Sequence, residues 1–107
     1  MAIAAVNEAN FDKTAVSAEY LVLDFYADWC PHCRRLAPTV EALADEYAGK
    51  TVIAKVDLDE NQKLGDRFEV ESIPTLVLLK KGQLVDTLVG PNSKGEIVSW
   101  MKEHGAI

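Results

Sequence analysis

Two cysteines stand three residues apart in Trp29-Cys30-Pro31-His32-Cys33, and they are the only two in the 107-residue chain. A thiol pair at this spacing on a helix lies about 5 to 6 Å apart on one face, within disulfide reach. The chemistry open to it is thiol-disulfide exchange: Cys30 attacks a substrate disulfide, a mixed disulfide forms, and Cys33 resolves it. A static staple or a zinc site are the other readings. Zinc takes about four ligands, and the only other soft candidates are His32 and the distant His104. The redox reading is therefore preferred.

The attacking sulfur must be held as a thiolate, and the surrounding elements are suited to that. Leu21–Tyr26 is an apolar run interrupted by one carboxylate, as expected of a strand buried on both faces. After the cysteines, Leu36, Val40, Leu43, Ala44 and Tyr47 recur at helical spacing, and Gly49 offers a stop. Cys30 thus falls between a buried strand and a helix N-terminus, where free N–H groups and the helix dipole favour an anion and lower a thiol pKa. Pro31 fits the first helical position, where its missing N–H costs nothing. Pro38 falls inside the helix and predicts a kink.

The flanking segments alternate in type. Ile3–Val6 reads as a short edge strand, and Asn10 as the cap of a helix over 11–18. Thr51–Val56 reads as a strand and Glu60–Phe68 as a short helix. Thr75–Leu79, a turn at Lys81-Gly82 and Leu84–Val89 form a hairpin. Ser93 with Glu96 is a capping box for a last helix that carries Ile97, Val98 and Met101 and ends before Gly105. The order β-α-β-α-β-α-β-β-α predicts an α/β fold in which a central mixed sheet has helices on both faces. With no repeat or Pro/Gly/Ser linker, residues 1–107 are expected to form a single domain.

The net charge of −6 arises from interspersed acids and bases and offers no basic patch, so nucleic acid is not an expected partner. The apolar start Met1–Val6 is too short for a signal peptide or a membrane span. The expected address is the cytoplasm, where paired thiols are more often redox-active than structural. A monomer without a membrane anchor is expected.

With the motifs assembled, the chain resembles the thioredoxin family along nearly its whole length. The residues that carry the likeness are Asp24-Phe25-Tyr26-Ala27, Trp29-Cys30 with Cys33, Pro38, Lys55, Ile73-Pro74-Thr75, Gly82 and Gly90. The resemblance implies a thioredoxin fold and a protein-disulfide reductase that needs no cofactor beyond its Cys30–Cys33 disulfide. Pro74 would be a cis-proline facing the sulfurs, with Ile73 offering its backbone to an extended substrate strand. Trp29 and Gly90 would complete the docking surface. Asp24 would be a buried carboxylate, its pKa raised by desolvation, that takes the proton of Cys33, with Lys55 as its partner. Its electron donor would be a flavin- and NADPH-dependent thioredoxin reductase. Trp100 is expected to pack, and His104 to be solvated.

Two departures stand out. Typical thioredoxins have Gly-Pro between the cysteines, whereas Pro31-His32 is the dipeptide of the larger periplasmic oxidant DsbA. A histidine there can stabilise the Cys30 thiolate by charge or hydrogen bond, which makes the disulfide more oxidising. The expected potential lies between those of typical thioredoxins and DsbA. Glu71-Ser72 before Ile73 places a carboxylate beside the groove, which disfavours acidic partners. A disulfide oxidase or isomerase using the same chemistry, and a non-catalytic binding module, remain the alternative functions.

Overall fold

The computed structural model describes residues 3–107; Met1 and Ala2, the start of the apolar run, lie outside the described residues. Five strands form one sheet: β1 (Ala4–Ala5), β2 (Tyr20–Tyr26), β3 (Val52–Asp57), β4 (Thr75–Lys80) and β5 (Gln83–Val89). They are ordered β1-β3-β2-β4-β5, with β2 parallel to β3 and antiparallel to β4. The helices are α1 (Phe11–Ser17), α2 (Pro31–Glu46), α3 (Gln62–Arg67) and α4 (Lys94–Glu103). The expected element order and mixed sheet are both present.

Alternation along β2 divides the interior into two layers. Leu21, Leu23 and Phe25 join Ala54, Val56, Val77 and Leu79 beneath Phe11, Ala15, Leu64 and Phe68 of the α1–α3 side. Val22 belongs to the opposite layer with Ile53, Leu76 and Leu78, covered by Leu36, Val40 and Leu43 of α2 and by Ile97, Trp100 and Met101 of α4. Asp24 follows Val22 on that second face. An otherwise apolar pattern therefore points one carboxylate beneath α2.

Local chemistry explains where the elements end. Lys81 and Gly82 both take positive φ, 50° and 80°, giving the tight hairpin turn that Gly82 favours. Ser93 Oγ accepts the Glu96 N–H at 3.2 Å as a cap should, while the Glu96 carboxylate accepts from Asn92 N–H at 3.1 Å. Asn10 occupies the cap position of α1 without capping it. Its Oδ1 accepts the Asn7 N–H, and Asn7 Oδ1 accepts the Asn10 N–H, each at 2.8 Å, so the side chain is used in the preceding turn. The expected helix over 60–68 contracts to α3 because Asn61 is drawn into the turn. Its Nδ2 donates to Asp57 O at 3.0 Å and its Oδ1 accepts from Glu8 N–H at 3.0 Å.

At the far end of the second layer, Asp86 of β5 accepts Trp100 Nε1–H at 2.9 Å and His104 Nε2–H at 2.8 Å. Trp100 packs as expected. His104 is not the freely solvated side chain its position suggests, because the Asp86 carboxylate reaches it across the sheet edge.

Candidate active site

The cysteines sit where β2 hands over to α2. Cys30 is the N-cap residue of α2 and Pro31 occupies the first helical turn. The pair is joined as a disulfide with Cα atoms 5.2 Å apart. Cys33 N–H donates to Cys30 Sγ at 3.2 Å. That donor, with the helix dipole behind it, stabilises negative charge on Cys30 once the bond is reduced.

The two sulfurs have different surroundings. Cys30 Sγ lies 4.0 Å from the carbonyl oxygen of Ile73, and the Ile73–Pro74 peptide bond is cis. Pro74 is buried and Ile73 half-buried. Gly90, at φ 62°, donates its N–H to Pro74 O at 2.8 Å and so closes the loop behind the proline. Trp29, which precedes Cys30, is 68% exposed, its indole Nε1–H donating to Asp59 Oδ2 at 2.9 Å. Ile73 is thus held beside Cys30, with Pro74 and Gly90 following it through the Gly90–Pro74 bond and Trp29 preceding Cys30 in the chain.

Cys33 instead lines a cavity of about 190 Å³ together with Asp24 and Lys55. Asp24 is only 6% exposed, and its Oδ1 has no hydrogen-bond partner among the described residues. Burial pushes its pKa up to about 7, against the opposing pull of the Lys55 charge. Lys55 is the register partner of Asp24 on β3, and its Nζ lies 5.7 Å from the centroid of the Tyr26 ring. The expected Asp24–Lys55 relation is thus electrostatic. A carboxyl that titrates near neutrality beside a thiol has the pKa required of a proton acceptor.

His32 is half-buried, and its Nε2 lies 2.9 Å from the carbonyl oxygen of Pro91. Reading the sequence singled out His32 but not Pro91, 59 positions distant. It likewise missed Asp59 as the partner of Trp29, and no local pattern marks either.

Comparison with known proteins decides the family. The thioredoxin family model matches residues 2–103. This chain belongs to the thioredoxin family. It is 44% identical over 104 residues to a thioredoxin of Staphylococcus haemolyticus, covering 97% of this chain and 99% of that one. It is 41% identical over 100 residues to a thioredoxin of Haemophilus influenzae, covering 92% and 94%. Among solved structures, Plasmodium falciparum thioredoxin superposes with a TM-score of 0.87 at 31% identity, covering 97% of this chain and all of the other. A mutant thioredoxin from Halobacterium salinarum gives 0.84 at 33% identity, covering 94% and 88%. Thioredoxin membership and a joined Cys30–Cys33 pair support a thiol-disulfide oxidoreductase. Thioredoxins act without a cofactor. Among the described residues no group of three or more His, Cys, Asp and Glu side chains could hold a metal, and no helix is long and apolar enough to cross a membrane.

Proposed function

We propose that this thioredoxin reduces disulfides of cytoplasmic proteins, with Cys30 as nucleophile, Cys33 as resolving thiol and Asp24 as the base that activates Cys33. The observation that carries the reading is the asymmetry of the pair: Cys30 faces the Ile73 carbonyl beside Pro74, and Cys33 shares a cavity with Asp24, whose Oδ1 has no hydrogen-bond partner among the described residues. The Cys30 thiolate attacks one sulfur of a substrate disulfide, and the other sulfur leaves as a thiolate that takes a proton from solvent. Cys33 then gives its proton to Asp24 across the cavity and attacks Cys30 Sγ. The second substrate sulfur departs reduced, and the Cys30–Cys33 disulfide remains. Two electrons pass from the dithiol to the substrate, and a thioredoxin reductase restores them.

A second feature of the proposal is a more oxidising potential than is usual in the family. His32 stands two residues from Cys30, at a helix N-terminus that already favours the thiolate, and an imidazolium there would add positive charge. Typical thioredoxins lie near about −270 mV and DsbA near about −120 mV, and the value proposed here falls between. With its Nε2 on Pro91 O, the ring acts on the thiolate through its field.

Reduction of insulin by dithiothreitol tests the activity: the wild type accelerates it and Cys30→Ser does not. Equal rates in the two would overturn the catalytic reading in favour of a binding module. Equilibration of the Cys30–Cys33 pair with glutathione tests the direction, since a potential near that of DsbA would favour the oxidase or isomerase role.

A further inference from the structure

The hydrogen bond from His32 to Pro91 joins the active-site turn to a loop 59 positions further along the chain. A carbonyl oxygen only accepts, so the bond requires the proton to be on Nε2. The neutral ring in that tautomer and the doubly protonated ring both keep it. The imidazole also lies against Gly90, where a Cβ would come within 3.9 Å of His32 Cε1. Pro91 is buried, and its carbonyl accepts this bond at an ordinary length of 2.9 Å.

These contacts close a circuit. His32, between the two cysteines, is tied to Pro91. The adjoining Gly90 N–H is bonded to Pro74 O, and Ile73 O in turn approaches Cys30 Sγ. The Gly90–Pro91 loop is thereby fastened to the turn that carries the nucleophile. A Gly-Pro dipeptide in the same place has no side-chain donor for such a link.

We propose that His32 is a positioning residue: by donating Nε2–H to Pro91 O it holds the Gly90–Pro91 loop against the active-site turn and sets the width of the cleft for protein disulfides. This rests on the disulfide-exchange reading above but is independent of the charge effect of His32 on potential. The two separate cleanly by side-chain length. Glutamine carries its Nε2 the same number of bonds from Cβ as histidine does and has no charge; asparagine stops one bond short.

The test measures insulin reduction and amide hydrogen exchange of Gly90 in the wild type, His32→Gln and His32→Asn. Loss of one net hydrogen bond corresponds to about a fivefold weakening. His32→Asn should raise KM for insulin about fivefold, move kcat less, and speed exchange at Gly90. His32→Gln should restore both KM and Gly90 protection to within about twofold of the wild type. Gln as impaired as Asn, or an unchanged KM and Gly90 exchange in both, would overturn the positioning role. If the wild type itself did not reduce insulin, the exchange reading would fall, while the Gly90 comparison would still decide whether the tie exists.

Discussion

Asp24 and Asp86 project from the same face of the sheet, into the layer covered by α2 and α4, yet the protein treats them oppositely. Asp24 is buried under α2 with Oδ1 unpartnered, and burial lifts its pKa to about 7. Asp86, half-buried at the edge beside α4, accepts from Trp100 and His104, and its pKa is lowered, first by the Trp100 hydrogen bond. The same side chain on the same surface becomes an acid ready to exchange a proton in one place and a fixed anion in the other. Donor supply sets the outcome. A carboxyl that is buried and left unsatisfied costs stability, and the proposed proton transfer from Cys33 across the shared cavity would give that cost a use.

The sharpest way to break this contrast is Asp24→Asn. Because the folded pKa of Asp24 lies above its unfolded value, the native state holds an extra proton between about pH 4 and pH 7, and wild-type stability declines across that window. The amide has no such slope. In urea unfolding the variant should therefore match the wild type near pH 4 and exceed it by about 2 to 4 kcal/mol at pH 8. Resolution of mixed disulfides should slow in the same variant. A gain that is identical at both pH values would mean that Asp24 is not a costly buried anion.

The converse is expected at the other carboxylate. Asp86→Ala leaves the buried Trp100 Nε1–H without its acceptor and should cost about 1 to 2 kcal/mol at neutral pH. The folded pKa of Asp86 is lowered, so its contribution is present above the unfolded value and lost as pH falls through the folded one. The difference between wild type and variant should accordingly close in acid, and insulin reduction should be untouched. A slowed reaction would show that the edge of α4 communicates with the cysteines.

The smallest effect belongs to Lys55, whose charge lowers the Asp24 pKa only as the second cause after burial. Lys55→Met should move the Asp24 titration, followed by carboxyl carbon chemical shift, further upward. An unmoved titration would place Lys55 outside the field of Asp24.

Patterning exposed most of the fold because each element announces itself locally. The apolar run of β2, the helical repeat of Leu36, Val40 and Leu43, and the Lys81-Gly82 turn all carry their structure in neighbouring residues. The sulfur chemistry was legible for the same reason, since Cys30, Pro31 and Cys33 lie within one turn. A cap failed at Asn10 and a boundary slipped at Asn61, where a short polar side chain had two possible uses: both serve the turns before their helices. What remained hidden was polar pairing over long separations. His104 with Asp86, Trp29 with Asp59 and His32 with Pro91 are set by the sheet and loops together, and no periodicity encodes them. The role of Asp24 came from family resemblance, because one carboxylate in an apolar strand does not itself reveal whether a donor awaits it.

The division of labour between the sulfurs is the centre of the account, and trapping measures it directly. Cys33→Ser and Cys30→Ser proteins would each be reduced, mixed with a protein disulfide, quenched with acid and analysed by mass spectrometry for covalent adducts. With Cys30 as nucleophile and no thiol left to resolve, Cys33→Ser should accumulate a mixed disulfide through Cys30, and Cys30→Ser should accumulate none. Adducts through Cys33 in the Cys30→Ser protein, at a yield equal to or above that of its counterpart, would reverse the assignment and contradict the role given to the groove, the cavity and Asp24 alike.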